Sequence, residues 1–332
     1  MPAGSTLSAR SATLTMRAAI VSAPGRVSVQ ETARPLAGPG QVRIRLEGCG
    51  VCGSNLAFWE GRPWFSYPGE PGAPGHEGWG IVDEVGPDVR SVEAGDRVAT
   101  LAPNAYAQFA LSPADQVVPL PPALDGLPFP GEPLGCAMNA FRRGGVEAGH
   151  TVVVIGIGFL GALLTRLASA HGARVIAVSR RPYALEVARA QGAEVALGSD
   201  DRDAVTRAVA DATGGAGADR VFEVVGLQAP LDLAGELTRV RGRLIIAGYH
   251  QDGLRQVNLQ LWNWRGLDVI NAHERDPGQY ITGIREAVAA VREGLVDLRP
   301  LLTHCYPLDR LDEALEAMRT RPEGFLKAVV LT

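Results

Sequence analysis

The chain has 332 residues, 46% of them apolar and 20% charged, with a formal net charge of −4. That length suggests two domains, and the acidic balance removes any electrostatic reason to expect a nucleic-acid partner. Four cysteines, Cys49, Cys52, Cys136 and Cys305, are too few for a disulfide framework in a chain this long, which fits a reducing cytoplasm.

Met1 to Thr15 is small and polar with one arginine. It lacks the apolar core of a signal peptide and reads as a flexible tail over 1–15. Residues 16–120 read as β-rich. Arg17–Val21, Gln41–Leu46 and Gln116–Leu120 are short alternating or β-branched runs. In the second of these, Val42, Ile44 and Leu46 alternate with Arg43, Arg45 and Glu47, so the polar set is expected to face water. Residues 60–76 are rich in Gly, Pro and aromatics and read as an irregular loop leading to His76. From Thr151 the pattern changes. An apolar strand over Thr151–Ile155 precedes a helix over Leu160–His171, and strand and helix then alternate as far as the strand Leu267–Asn271. That alternation predicts a doubly wound parallel sheet, an α/β fold, with helices on both faces. Helices over Gln279–Glu293 and Leu308–Arg319 follow, and Phe325–Leu331 reads as a strand returning to the first domain. The apolar stretch from Thr151 is broken by glycines and Arg166, so no membrane span is expected.

Between the first two of these elements lies Gly156-Ile157-Gly158-Phe159-Leu160-Gly161. Gly156 suits a tight turn, Gly158 a close backbone approach to a pyrophosphate, and Gly161 a close helix–strand contact. The phosphates would meet the N-terminus of the following helix. The second strand of the unit ends at Ser179-Arg180-Arg181-Pro182. An acidic residue there would bind ribose hydroxyls; a hydroxyl and two guanidinium groups suit a 2′-phosphate, which predicts NADP(H) over NAD(H).

Cys52 and His76 lie in Gly48-Cys49-Gly50-Val51-Cys52-Gly53-Ser54-Asn55 and Gly75-His76-Glu77-Gly78. Thiolate, imidazole and carboxylate suit a catalytic Zn²⁺ with one open position. The carboxylate is either Glu77 or Glu132, the latter in Gly131-Glu132-Pro133-Leu134-Gly135-Cys136 at the domain junction. Cys49 and Cys52 also form a C-x-x-C, but no second pair is present to make a zinc ribbon.

Read together, these segments resemble the zinc-dependent alcohol dehydrogenases of the medium-chain dehydrogenase/reductase superfamily. The likeness includes Gly95-Asp96-Arg97-Val98 and Glu132-Pro133-Leu134 and runs from Met16 onward. Around Glu132 to Arg142 the chain is most similar to sorbitol-dehydrogenase-like members, and at Ser179–Pro182 to NADP-dependent secondary-alcohol dehydrogenases. The resemblance implies a GroES-like catalytic domain over 16–135, completed by 273–332, and a Rossmann domain over 136–272. It implies zinc on Cys52, His76 and Glu77 or Glu132, with Ser54 hydrogen-bonding the reacting oxygen. It also implies subunit pairing through Leu267–Ala272, as a homodimer or homotetramer.

Three departures stand out. Asn55 replaces the usual Asp that supports the zinc-bound imidazole. Ala57 replaces a histidine that often ends the proton relay. The four-cysteine lobe that holds a structural zinc is missing, so one zinc per subunit is expected. The implied reaction is reversible alcohol–carbonyl interconversion on a small-molecule substrate. Phe58, Trp59, Trp64, Phe65 and Tyr67 could wall the substrate pocket; Asn139 and His273 could add polar contacts suited to a polyol, and Cys136 is expected near the nicotinamide. The alternatives are a zinc-free NADPH quinone or enone reductase on the same fold, and a non-catalytic dinucleotide-binding protein.

Overall fold

A computed structural model describes residues 14–332. The expected tail lies outside the described residues up to position 13, and the first strand opens at Thr15. In the first lobe, β1 (Thr15–Ala23) and β2 (Arg26–Ala33) form an antiparallel hairpin. β3 (Gln41–Gly50) is followed by the short helix α1 (Asn55–Trp59), then by β4 (Gly78–Val85), β5 (Arg97–Thr100), β6 (Phe109–Pro113) and β7 (Val117–Pro119). Helix α2 (Gly131–Gly144) leads into the second lobe. There β8 (Thr151–Ile155), α3 (Phe159–Ala170), β9 (Arg174–Ser179), α4 (Pro182–Ala190), β10 (Val195–Gly198) and α5 (Arg202–Thr213) alternate. They are followed by β11 (Ala218–Glu223), α6 (Gln228–Leu237), β12 (Thr238–Ile246), α7 (Leu259–Arg265) and β13 (Asp268–Asn271). The chain then returns through α8 (Pro277–Arg292), β14 (His304–Pro307), α9 (Leu311–Thr320) and β15 (Ala328–Leu331).

The second lobe is the expected parallel sheet, in the order β10-β9-β8-β11-β12-β13. Every residue of β8 is buried, as a central strand covered on both faces requires. The order reverses between β8 and β11, so the crevice outside their carboxyl ends is where such a sheet takes a ligand. The first lobe is a sheet ordered β14-β15-β3-β4-β5-β7, with β6 also on β3. The last strand returns as expected: β15 lies between β14 and β3, with Val329 opposite Gly50 and Val330 opposite Cys49. The largest apolar core joins the lobes, running from Trp79 and Leu120 through Phe129 and Leu134 to Val152, Leu163 and Ile284.

Two expectations need correction. Arg43 does not face water. It is 7% exposed and its guanidinium is met by Asp83, Glu84 and the Pro35 carbonyl. A buried charge is tolerated when it is fully paired in this way. Helix α2 has no counterpart in the predicted elements, because Gly131, Pro133 and Gly135 read as breakers. Proline is tolerated in a first turn, where the N–H it lacks has no helical partner. Among the described residues no helix is long and apolar enough to cross a membrane. At the free edge of the parallel sheet, β13 shows Val269 at 38% exposure, and the neighbouring Trp264 is 88% exposed.

Candidate metal and dinucleotide site

Cys49 on β3 lies opposite Gly78 on β4, so the segments just beyond that pair converge. Cys52 follows β3, and His76 and Glu77 immediately precede β4. Their donor atoms all lie within 4.8 Å of one another. Gly50 donates its N–H to the Glu77 carbonyl at 3.1 Å. It has to be glycine, because a Cβ there would fall 1.9 Å from Glu77 Oε2.

The imidazole is held from behind by a backbone carbonyl. His76 Nδ1 lies 2.9 Å from the Pro74 oxygen, which can only accept, so Nδ1 carries a proton and Nε2 is the nitrogen left for the site. Asn55 is 1% exposed. Its Nδ2 donates to the same Pro74 oxygen at 3.0 Å, while its Oδ1 accepts from the Cys52 N–H at 3.1 Å and the Tyr106 hydroxyl at 2.7 Å. It therefore braces both ligand loops, and the neutral Pro74 carbonyl stands where a carboxylate would back the ring.

Glu77 is fully buried and meets Lys327 from the segment entering β15. Nζ donates to Oε1 at 2.7 Å and lies 2.5 Å from Oε2, but too far off axis for a hydrogen bond, so Oε2 is a buried oxygen without a proper partner. Burial opposes charge on Lys327, and Glu77 and Cys52 more than offset it, so its pKa stands above the usual lysine value. The same ammonium sits 5.4 Å from the centre of the Phe159 ring and so links this cluster to the glycine turn. Lys327 is the only lysine among the 332 residues. The predicted site did not include it; the available signal was a lone charge inside the apolar run Phe325–Leu331.

The donor set fits a zinc ion. Sulfur, imidazole and carboxylate converge in a buried cluster where anionic groups predominate. Burial works against charging His76, yet Cys52, then Glu132 and Glu77, outweigh it and hold its pKa up at about 10. Glu132, in the first turn of α2, stands outside the converging trio. Its Oε1 accepts from Cys136 Sγ at 3.4 Å, and burial raises its pKa. Burial and Glu132 likewise raise that of Cys136. Ser54 is the N-cap of α1 but makes no capping bond with its side chain.

At the glycine turn, Gly156 has φ +104° and Gly161 lies so close that a Cβ would fall 2.0 Å from the Gly156 oxygen. Gly158 caps α3 with open space at its Cβ position. Phe159 is buried and Leu160 half-buried in the first turn of that helix. Ser179 is buried at the end of β9, and its Oγ accepts weakly from the Arg181 N–H at 3.5 Å. The two arginines have different fates. Arg180 is exposed, whereas Arg181 donates to the Phe325 and Ile157 carbonyls and so ties the C-terminal segment to the turn. Burial, Arg321 and Arg180 together lower the Arg181 pKa. Arg321, at the end of α9 with φ 48°, is thus a third cation at this corner, and the sequence alone did not suggest it.

The pocket residues divide as well. Trp59 is in the core of the first lobe, at 8% exposure. Phe58 packs edge-on against Phe65 and stacks on Tyr67. Trp64 is 58% exposed and Phe65 36%. His273 is exposed and stacks on Tyr249. Asn139 is 3% exposed and its Nδ2 donates to the Ala272 carbonyl at 3.0 Å. That bond ties α2 to the end of β13.

Comparison with known proteins gives two family matches. Residues 38–122 match the alcohol dehydrogenase GroES-like domain, and 160–288 match the zinc-binding dehydrogenase family. The chain is 28% identical to a human sorbitol dehydrogenase over 347 aligned positions, covering 94% of each. It is 31% identical to an alcohol dehydrogenase of Geobacillus stearothermophilus, over 70% of this chain and 77% of the relative. Its fold superposes on the crystal structure of 2R,3R-butanediol dehydrogenase from Bacillus subtilis with a TM-score of 0.83, at 24% identity, covering 96% and 99% of the two chains.

Removing the ammonium would leave the Glu77 carboxylate buried without a counter-charge. Lys327→Met should destabilise the metal-stripped protein by about 3–5 kcal/mol, read as the midpoint of chemical denaturation. Zinc saturation, or a second change Glu77→Gln, should return much of that loss. An unmoved midpoint would mean that the pair carries no net stability.

Proposed function

The chain belongs to the zinc-binding alcohol dehydrogenases of the medium-chain dehydrogenase/reductase superfamily, and from that premise we propose that it interconverts a secondary alcohol or polyol and its carbonyl compound with NADP(H). The observation that carries the reading is the convergence of Cys52, His76 and Glu77 within 4.8 Å, joined through Lys327 to the helix of the glycine turn. Cys52, His76 Nε2 and Glu77 are the residues that would hold zinc. When bound, zinc supplies Lewis-acid polarisation of the substrate oxygen. Glu132 is placed to bear on that site by its charge. Ser54, free of capping duty, orients the substrate hydroxyl and takes or returns its proton. Ala57 offers no side chain to carry that proton further along α1. The first-turn N–H groups of α3 bind the pyrophosphate. The sorbitol and alcohol dehydrogenase names of the relatives support an alcohol substrate, and the exposed Trp64 and Phe65 favour one with an apolar part.

Cofactor choice rests on the arginine corner. With Arg181 engaged by two carbonyls, Arg180 and Arg321 are the cations free to grip a 2′-phosphate, one from each lobe. A charged hydrogen bond contributes about 1.5–3 kcal/mol. Changing both to Ser should lower kcat/KM for NADP(H) by about 10–100-fold and leave that for NAD(H) nearly unchanged. Equal efficiency of the unmodified enzyme with both cofactors would overturn the assignment.

The metal reading has its own test. Elemental analysis should find one zinc per subunit, and Cys52→Ser should lose zinc and turnover together. Full turnover of metal-free protein on a quinone or enone would favour the zinc-free reductase instead.

A second copy of the chain is the proposed partner. Among the described residues no strand pairs with the outer edge of β13, which carries the apolar Val269. Light scattering should give a dimer or a multiple of it, and Val269→Pro should lower the mass; a monomeric wild type would exclude this pairing.

A further inference from the structure

The carboxyl ends of β11 and β12 carry ionisable groups that the proposed chemistry does not use. Glu223, the last residue of β11, is fully buried. Its Oε1 accepts from the N–H groups of Val225 at 2.7 Å and Gly226 at 2.8 Å. Its Oε2 lies 2.9 Å from His250 Nε2. Across the imidazole, Arg255 Nε donates to His250 Nδ1 at 3.0 Å. A guanidinium can only donate, so Nδ1 must accept and the ring proton is on Nε2, pointing at Glu223. Arg255 Nη2 then donates to the Gly226 carbonyl at 2.9 Å and also meets Asp252. The hydrogen bonds therefore close a ring, from Glu223 through Gly226, Arg255 and His250 back to Glu223. The imidazole sits between the guanidinium and the carboxylate, and Asp252 adds a second carboxylate on the far side of Arg255.

This ring stitches two backbones together at the ligand crevice of the sheet. A Cβ on Gly248 would fall 2.3 Å from the Gly226 nitrogen and 2.7 Å from Glu223 Oε2, so the two segments touch. On the near side, a Cβ on Gly156 would meet Val225 Cγ2 at 2.6 Å and the Val224 backbone at 3.2 Å. The turn after β11 is thus the next wall beyond the phosphate turn. A dinucleotide whose adenosine half lies at the end of β9 must run its other half over β11 and β12. The loop also faces the metal-bearing lobe. Asp252 is held below the usual carboxylate range by its bond to Arg255, and the charge of Arg62, from the turn after α1, adds to that.

We propose that Glu223, His250 and Arg255 are positioning residues for hydride transfer: their closed hydrogen-bonded ring fixes the backbone of 224–226 and 247–250 as the wall that holds the nicotinamide half of the cofactor. The inference rests on the dehydrogenase reading and adds to it. His250 is the hinge of the ring, because only a side chain that accepts on one side and donates on the other can join Arg255 to Glu223. A carboxamide can do the same, and a hydrocarbon cannot.

The test uses the full-length, zinc-loaded protein as wild type, His250→Leu and His250→Gln. Two ligands are titrated: NADPH, followed by the fluorescence of its reduced nicotinamide, and 2′,5′-ADP, which carries only the adenosine half. His250→Leu should weaken NADPH about tenfold and lose the blue shift of the bound nicotinamide, with 2′,5′-ADP affinity kept within about twofold. His250→Gln should recover most of both signals. A purely structural role would weaken the two ligands in parallel, and that result would overturn the proposal. So would a His250→Leu protein whose nicotinamide emission and NADPH affinity match wild type. A wild-type protein that binds neither NADPH nor NADH would overturn the dehydrogenase reading, and the ring's role with it.

Discussion

The contact between Lys327 and Glu77 constrains the rest of the molecule. Two opposite charges, 4% and 0% exposed, sit together in the interior. Desolvation makes each of them expensive alone, and their mutual attraction offsets that cost only if the geometry is kept. Keeping it requires β15 beside β3, glycine at position 50, and the His76–Glu77 pair at the mouth of β4. A chain that otherwise uses arginine for every basic side chain uses its one lysine here. An ammonium is compact enough to fit between a carboxylate and the Phe159 ring, where a planar guanidinium fork would need a wider space.

Much of this was legible in the sequence, and the illegible parts share a cause. The glycine turn and the strand–helix alternation are local patterns with a period, so they can be read directly. Cys52, His76 and Glu77 are legible as residue types, but their mutual approach depends on which strands pair. Arg43 looked like a solvent-facing residue because alternation cannot see Asp83 and Glu84 arriving on the neighbouring strand. Asn55 was recognisable as a lost carboxylate. That the Pro74 carbonyl accepts the hydrogen bond from the imidazole N–H instead is a fact of loop geometry. Arg180 and Arg181 look equivalent in the chain, and only the fold reveals that one is spent on the Phe325 and Ile157 carbonyls while Arg321 comes in from the other lobe.

The two halves of the site follow opposite electrostatic rules. Around His76 the protein gathers anions, and the imidazole keeps a proton against burial. At the end of β9 it gathers cations, and Arg181 and Arg321 are each pushed below the ordinary arginine value by burial and by neighbouring arginines. Each cluster is unfavourable in itself, and a ligand of opposite sign would relieve it. Lys327, bonded to Glu77 and lying over Phe159, stands on the path between them.

The Lys327–Glu77 contact joins positions 250 residues apart along the chain. The strand that follows Lys327, β15, also supplies one neighbour of β3. During synthesis the Glu77 carboxylate is therefore without its ammonium partner until the whole parallel sheet has emerged. A partly made chain thus carries Cys52, His76 and Glu77 with one negative charge more to be balanced than the finished one.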